Sequence, residues 1–247
     1  TVAVGDYAIK ITQDARQAVI VGNAVNLGEI SPGVPHTTAS RKITEDEAGS
    51  VNVNGETIKV NVGDTVDEVF QKIRDACDNV NINVFAAIDG GTPAIDENLE
   101  LAGYESKPLL DGDTLIFVSR DYGSDQKITI HCDKPGLSDL LGLTVAGAEA
   151  TGIDAKAEVD LTVTESLFEN TATVSIRGNK VTVSDRNNFK MVFEVDPGTV
   201  GTVFVDKEIT SPSTSPADAP APSGGTDADI TVSVLDAGPM DLQIGAN

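Results

Sequence analysis

Two histidines, two cysteines and a surplus of carboxylates are the residues with chemistry to offer. His36 and His131 stand far apart and no HExxH pair is present, so the helical zinc site of a metallopeptidase is missing. His131 and Cys132 are neighbouring ligand types. Adjacent residues of a strand point to opposite faces, so this pair does not readily hold one ion. Ser119, Ser124 and Ser138 stand in no GxSxG elbow. The stretch Gly198 to Phe204 lacks the lysine of a phosphate loop, and no GxGxxG occurs. Asp111–Gly112–Asp113 opens like a calcium loop, but Thr114 and Leu115 break the alternation of oxygen ligands, and the pair reads as a turn before a strand. Cys77 falls on the apolar stripe of an expected helix and Cys132 closes an expected strand, so both read as buried free thiols. A bridge between them would need their Cα atoms within about 7 Å. The chemistry expected is therefore none: no catalytic residue, no metal and no cofactor.

The bulk properties exclude further classes. The formal charge of −22 opposes nucleic acid, whose phosphates need a basic face. It opposes an anionic membrane surface equally. Apolar residues at 40% suffice for a sizeable core, and the absence of Trp leaves that core to Val, Ile, Leu and Ala. Apolar runs extend only a few residues, as in Ala18 to Val21, whereas a membrane helix needs about 20. No basic and apolar leader follows Thr1, so the chain reads as an internal part of a longer gene product or as the result of processing.

The elements that would carry these residues are mostly strands. Tyr7 to Thr12 alternates as a strand does, and Gln13 to Val21 continues it or forms a short helix. Gly28 to Gly49 is loop-like, with Pro32, Gly33 and Pro35, and ends in Glu45–Asp46–Glu47. From Val51, two short strands flank Asn54–Gly55, a dipeptide suited to a hairpin turn. Asp64 is the expected cap of a helix whose stripe is Val66, Val69, Phe70, Ile73, Ala76, Cys77 and Val80. Strands follow at Ile82 to Ile88, Thr114 to Ser119 and Lys127 to His131, then a helical turn at Leu137 to Thr144. Beyond Ala146 the texture is strands alone, with turns at Gly178–Asn179 and Asp196–Pro197–Gly198 and a strand at Asp229 to Leu235. Thr210 to Thr226 is low in complexity and rich in Pro and Ser, and reads as an exposed insertion. The fold class expected is mainly β with an α+β module, in two compact modules, one helix-containing and one all-β. The boundaries drawn are 1–50 for an opening strand and loop packed on the first module, 51–145 for the α+β module, and 146–247 for the all-β module. The last includes the insertion near 207–228 and an exit segment at 236–247.

Three segments resemble one family. The first is VNVNGETIKVNVGDTVDEVFQKIRDACDNVNINVFAAID with DTLIFVSRDYGSDQKITI, which resembles the repeat of flagellins and flagellar hook-associated proteins. Asn54, Gly55, Gly123 and Ser124 match its signature positions. Cys77 and Asp78 depart from it, standing where such proteins often carry the Asn of a helix-ending Ile-Asn pair. The second, GDYAIKITQDA, is similar to a segment of the filament cap protein and of some flagellins. The third, ATVSIRGNKVTVSDRNNFKMVFEV with the terminal MDLQIGAN, resembles the segment by which flagellins re-enter their inner domain, and LQIGAN tips the resemblance toward flagellin.

The resemblance implies a structural subunit of the bacterial flagellar filament, here its surface-exposed central region without the polymerising helices. It implies an extracellular location reached without a cleaved signal peptide. The implied partners are other flagellin subunits through those helices, an export chaperone and the filament cap. The isolated chain is expected to be a monomer with its termini close together. Leu242, Gln243, Ile244, Gly245, Ala246 and Asn247 would form the junction to the inner filament domain. Surface Ser and Thr of this family often carry O-linked glycans, which makes Thr210, Ser211, Ser213, Thr214 and Ser215 candidates, with a plain loop as the other reading. Three other functions stay open. The filament cap or another hook-associated protein shares the first two segments and should lack LQIGAN. An adhesin-like binding module is a separate class that an acidic β-protein serves. An enzyme inserted in a flagellin is opposed by the missing HExxH.

Overall fold

A computed structural model describes residues 9–87, 109–143, 147–159, 171–184, 190–195, 201–203 and 240–244. The expected turn at Asp196–Pro197–Gly198, the Pro/Ser-rich segment and the strand at Asp229 to Leu235 lie outside the described residues. In chain order the first elements are β1 (Ile9–Gln13), β2 (Val19–Ala24), β3 (Glu29–Ser31), β4 (Val34–Pro35), β5 (Gly49–Val53), β6 (Glu56–Val60), helix α1 (Val66–Asn79) and β7 (Ile82–Ala87). They are followed by β8 (Thr114–Ser119), β9 (Lys127–Cys132), helix α2 (Pro135–Leu141), β10 (Ala148–Thr151) and β11 (Lys156–Val159). The last are β12 (Thr173–Arg177), β13 (Lys180–Ser184), β14 (Lys190–Val195), β15 (Gly201–Val203) and β16 (Met240–Ile244). The fold is mainly β with a helix-bearing part, as the alternation and the single long amphipathic stripe require.

The chain divides into two units. One is continuous, Gln17–Ile153. The other is split and joins Thr1–Arg16 with Asp154–Asn247. The sequence boundaries near 50 and 145 therefore sit inside the continuous unit, and the reason is pairing. Strand β2, from the stretch left open between strand and helix, pairs antiparallel with β8, placing Val19 opposite Val118. At the other end β10 pairs antiparallel with β9, placing Ala148 opposite Ile130.

The continuous unit holds a four-stranded sheet, ordered β10-β9-β5-β6, and a three-stranded sheet, ordered β2-β8-β7. Helix α1 contributes Val66, Val69, Phe70, Ile73, Ala76 and Cys77 to their shared core, the stripe read from the sequence. Burying each of the large apolar side chains is worth about 1.5–3 kcal/mol. The helix cap differs from expectation. Thr65, not Asp64, is the N-cap: its Oγ1 accepts the Glu68 N–H, and Glu68 Oε2 accepts the Thr65 N–H at 2.8 Å. Thr65 and Glu68 have the spacing of a capping box, and that reciprocal pair of bonds outcompetes a lone carboxylate one residue earlier. Asp64 instead accepts from Asn61 N at 2.9 Å and pairs with Lys72 at 2.6 Å.

The loop-like stretch before β5 is anchored by Arg41, which ion-pairs with Glu47 and donates to the Leu27 carbonyl at 3.0 Å. Its Ile43 is buried in the core. Helix α2 begins two residues before the turn expected at Leu137 to Thr144 and stops short of its end, capped by Gly142, whose φ of 65° is left-handed. The Gly142 carbonyl accepts from Asn23 N at 2.6 Å, tying α2 to β2.

In the split unit, β1 lies between β11 and β15, and a second sheet runs β12-β13-β14-β16. Its core joins Ile9 and Ile11 of β1 to Val181 and Val183 of β13 and to Met191, Phe193 and Val195 of β14. The β12–β13 hairpin turns at Gly178–Asn179, as predicted. Among the described residues no helix is long and apolar enough to cross a membrane.

Candidate functional site

The signature residues of the sequence resemblance converge on the closure of the continuous unit. Asn54 and Gly55 form the two-residue turn between β5 and β6, with φ of 49° and 90°, and Val53 faces Glu56 across it. Two consecutive positive φ values suit Asn-Gly: glycine has no Cβ penalty, and asparagine is the side chain that best tolerates the left-handed region. Asn54 also clasps the unit's closing strand. Its Nδ2 donates to the Lys127 carbonyl at 2.7 Å, and its Oδ1 accepts the Thr129 N–H at 2.7 Å. Its backbone N donates to the Thr129 carbonyl at 2.9 Å. One side chain thus stitches the hairpin to β9, across a sequence gap of 75 residues. Gly123 turns the chain between β8 and β9 with φ of 110°, and its carbonyl accepts from Gln126 N at 3.0 Å. Exposed Ser124 sits in the same turn.

A second cluster closes α1. Asn81, just beyond the helix, takes the left-handed conformation, φ 61°. Asn81 donates to Asp121 at 2.8 Å and accepts from Arg120 N at 3.0 Å. Arg120 donates to Asn83 Oδ1 at 3.0 Å and ion-pairs with Asp78. The sequence reading passed over Asn81 and Arg120. The available signal was the Asn just beyond the last turn of the stripe, where a helix takes a left-handed residue.

Several of the residues with chemical potential hold the fold. Asp111 Oδ1 accepts the Leu27 N–H and Asp113 Oδ2 accepts the Leu110 N–H, both at 2.7 Å, so the expected turn before β8 is what these carboxylates build. Ser119 Oγ accepts from Ala18 N and donates to the Asp121 carbonyl, and buried Ser138 donates to the Leu143 carbonyl. Along β9, His131 is exposed and Cys132 buried, on opposite faces as alternation requires. Both cysteines are free and buried. Burial, with the charge of Asp78 added, pushes the Cys77 thiol up to about 12. Burial pushes Cys132 up to about 11, against the bond it gives the Lys134 carbonyl. Both stay neutral thiols at physiological pH and are poor nucleophiles. A shallow open groove of about 520 Å³ is lined by Ser50, Thr57, Lys59, Asn61 and Asp133. Asp133 is held below the ordinary carboxylate range by the Ser50 N–H, at 2.7 Å, and both its oxygens are engaged by Ser50. Among the described residues no group of three His, Cys, Asp or Glu is placed to hold a metal ion.

Of the expected junction, Leu242, Gln243 and Ile244 run within β16, parallel to β14, with Leu242 opposite Phe193 and Ile244 opposite Val195. Gly245, Ala246 and Asn247 lie outside the described residues, as do the glycan candidates Thr210, Ser211, Ser213, Thr214 and Ser215.

No family model matches the chain, and no curated protein matches it in sequence. Solved structures similar to it include domains of flagellar cap proteins. The D2-D3 domains of the flagellar cap protein FliD from Escherichia coli are 15% identical, over 84% of this chain and 91% of that one, with a TM-score of 0.43. The FliD D2-D3 domains from Serratia marcescens are 14% identical, over 78% of this chain and 95% of that one, with a TM-score of 0.39. FliD from Bdellovibrio bacteriovorus is 15% identical, over 76% and 91%, with a TM-score of 0.35. These three are cap proteins and none is a filament subunit. Likeness at this level carries neither an activity nor a partner across, since one architecture serves many functions.

Proposed function

We propose that the chain is the outer, surface-exposed part of an extracellular flagellar component, and that the component is a filament cap or another hook-associated protein rather than the filament subunit. Its role in this reading is structural and non-catalytic, and the partners of the whole component are flagellin subunits at the growing or finished filament.

The observation that carries the reading is the coincidence of signature and closure. Asn54, Gly55 and Gly123, which match the flagellar repeat in sequence, are the residues whose backbone conformations and bonds close one folded unit. A chance match in composition gives no reason for those residues to share a structural task. Two of the three resembling segments are common to cap and hook-associated proteins. Within the third, the part that favours a filament subunit is the six residues LQIGAN, of which Leu242–Ile244 is engaged as a strand beside β14. In the same reading Thr210, Ser211, Ser213, Thr214 and Ser215 are glycan acceptors, which a mass loss on β-elimination of the native protein tests.

Immunogold labelling of intact cells with antibodies raised against this chain tests the proposal. Label confined to filament tips or to the hook–filament junction is the expected result. Label along the whole filament would restore the filament subunit, the reading that LQIGAN favours. Labelled cell surface with bare flagella would overturn the flagellar assignment and leave the adhesin-like module.

A further inference from the structure

We propose that Asn54 is a site of spontaneous deamidation that the folded unit holds shut and that opening of the hairpin from β9 releases. The inference does not rest on the flagellar reading. Asn54–Gly55 is the one Asn-Gly pair in the sequence. In such a pair the backbone nitrogen of the glycine attacks the side-chain carbonyl carbon of the asparagine. A bond forms between Gly55 N and Asn54 Cγ, the Cγ–Nδ2 bond breaks, and Nδ2 leaves as ammonia with the proton that Gly55 N gives up. Water then opens either C–N bond of the resulting succinimide, yielding aspartate or isoaspartate. The net change is an amide and water giving a carboxylate and ammonium, with no oxidant or reductant. Glycine makes this step easy because no Cβ hinders the approach of its nitrogen.

Every reacting group is restrained in the fold. The nucleophile's N–H is donated to Asn52 Oδ1 at 3.0 Å, and Asn52 is held in turn by its Nδ2 on Thr57 Oγ1 at 3.1 Å. The electrophile and leaving group are held on the backbone of β9, with Nδ2 on the Lys127 carbonyl and Oδ1 on the Thr129 N–H, both at 2.7 Å. The carboxamide therefore faces β9 and not the nitrogen that must attack it. The clasp on β9 fails when the hairpin lifts from that strand, whereas the Asn52 bond lies within the hairpin and remains as a second restraint, so the reaction follows the opening equilibrium of this part of the sheet and is slowed further by Asn52.

The products do not restore the clasp. Aspartate at position 54 has no N–H for the Lys127 carbonyl and sets a negative charge against that oxygen. Isoaspartate adds a carbon to the main chain inside a two-residue turn, and turn length fixes the register that pairs Val53 with Glu56. Each opening that leads to reaction is thereby recorded as a lasting covalent mark.

The test compares the whole chain, folded in mildly alkaline buffer and unfolded in guanidinium chloride, by peptide mapping that separates aspartate from isoaspartate. Asn179, followed by Lys180, is the internal reference. Conversion at Asn54 is expected in the unfolded chain and at least about tenfold more slowly in the folded one, because local opening must precede reaction. Asn52→Ala, which frees the Gly55 N–H, is expected to raise the folded-state rate several-fold while the circular dichroism spectrum stays unchanged. Equal rates in folded and unfolded chains would overturn the proposal, as would a conserved folded-state rate in a normally folded Asn52→Ala. Loss of fold in that variant would leave the wild-type comparison to decide.

Discussion

Gly142→Ala and Gly28→Ala form a matched pair that measures how closely α2 approaches β2. Both glycines belong to the continuous unit and have nearly the same left-handed backbone, φ 65° and 70°. An alanine at either site meets the left-handed penalty of about 1–2 kcal/mol, eased by the lower entropy it gives the unfolded chain, for a net cost of about 1 kcal/mol. The surroundings then separate the two. A Cβ on Gly28 meets nothing within 4 Å, whereas one on Gly142 would lie 2.1 Å from the Asn23 carbonyl oxygen and 2.7 Å from its carbon. Those atoms are backbone of β2, so no side-chain rotation relieves the overlap, and overpacking of this kind adds about 1–3 kcal/mol. Separating the elements to make room also lengthens the bond from Asn23 N to the Gly142 carbonyl, which is 2.6 Å. Thermal unfolding followed by far-ultraviolet circular dichroism gives the measurement. Gly28→Ala should lower Tm by about 2–4 °C and Gly142→Ala by about 5–15 °C. Equal losses in the two variants would refute the close approach of α2 to β2.

Three further outcomes follow from the same structure. Thr65→Ala should cost about 1 kcal/mol by removing one half of the capping box, measured as a shift in the urea midpoint, while Asp64→Ala, which loses a half-buried ion pair at the surface and a turn bond, should cost less. Asp133 is held below its ordinary value of 3.8 chiefly by the Ser50 N–H. A depressed folded value means its stabilisation is complete above the unfolded pKa and fades as pH falls through the folded one. Tm from about pH 5 downward should therefore fall less steeply in Asp133→Ala than in the wild type. The charge of −22 makes the folded chain repel itself, so raising ionic strength from about 0.01 to 0.15 M, which shortens the Debye length from about 30 to 8 Å, should raise Tm, and a fall would show that ion pairs outweigh repulsion.

The filament-subunit reading shows where a sequence argument was weakest. Three segments carried the flagellar resemblance, and only LQIGAN, a short segment whose weight came from resemblance, set the filament subunit apart from the cap, whereas the repeat signature rested on residues with backbone conformations that few others adopt. Asn54 and Gly55 are legible because two positive φ values restrict the choice of residue locally. The cap of α1 is legible too, in the spacing of Thr65 and Glu68, although the neighbouring Asp64 is also a residue type suited to an N-cap.

The sequence by itself determined the elements whose causes lie within a few residues: the stripe of α1, the turns at Asn54–Gly55 and Gly178–Asn179, and the alternation of β9 that turns His131 out and Cys132 in. Periodicity and turn chemistry act over one or two turns of chain, so they can be read along it. Tertiary structure alone decided which strands meet. It brought β2 to β8 and β10 to β9, so that the unit boundaries fell near residues 16 and 153, and it laid β16 parallel to β14. It also gave Asn54 its second task, because the partner carbonyl and N–H on β9 are backbone groups, present at every residue and marked by no side chain. Backbone pairing is indifferent to sequence, and only the packing of the whole core selects one register from the many that the strands allow.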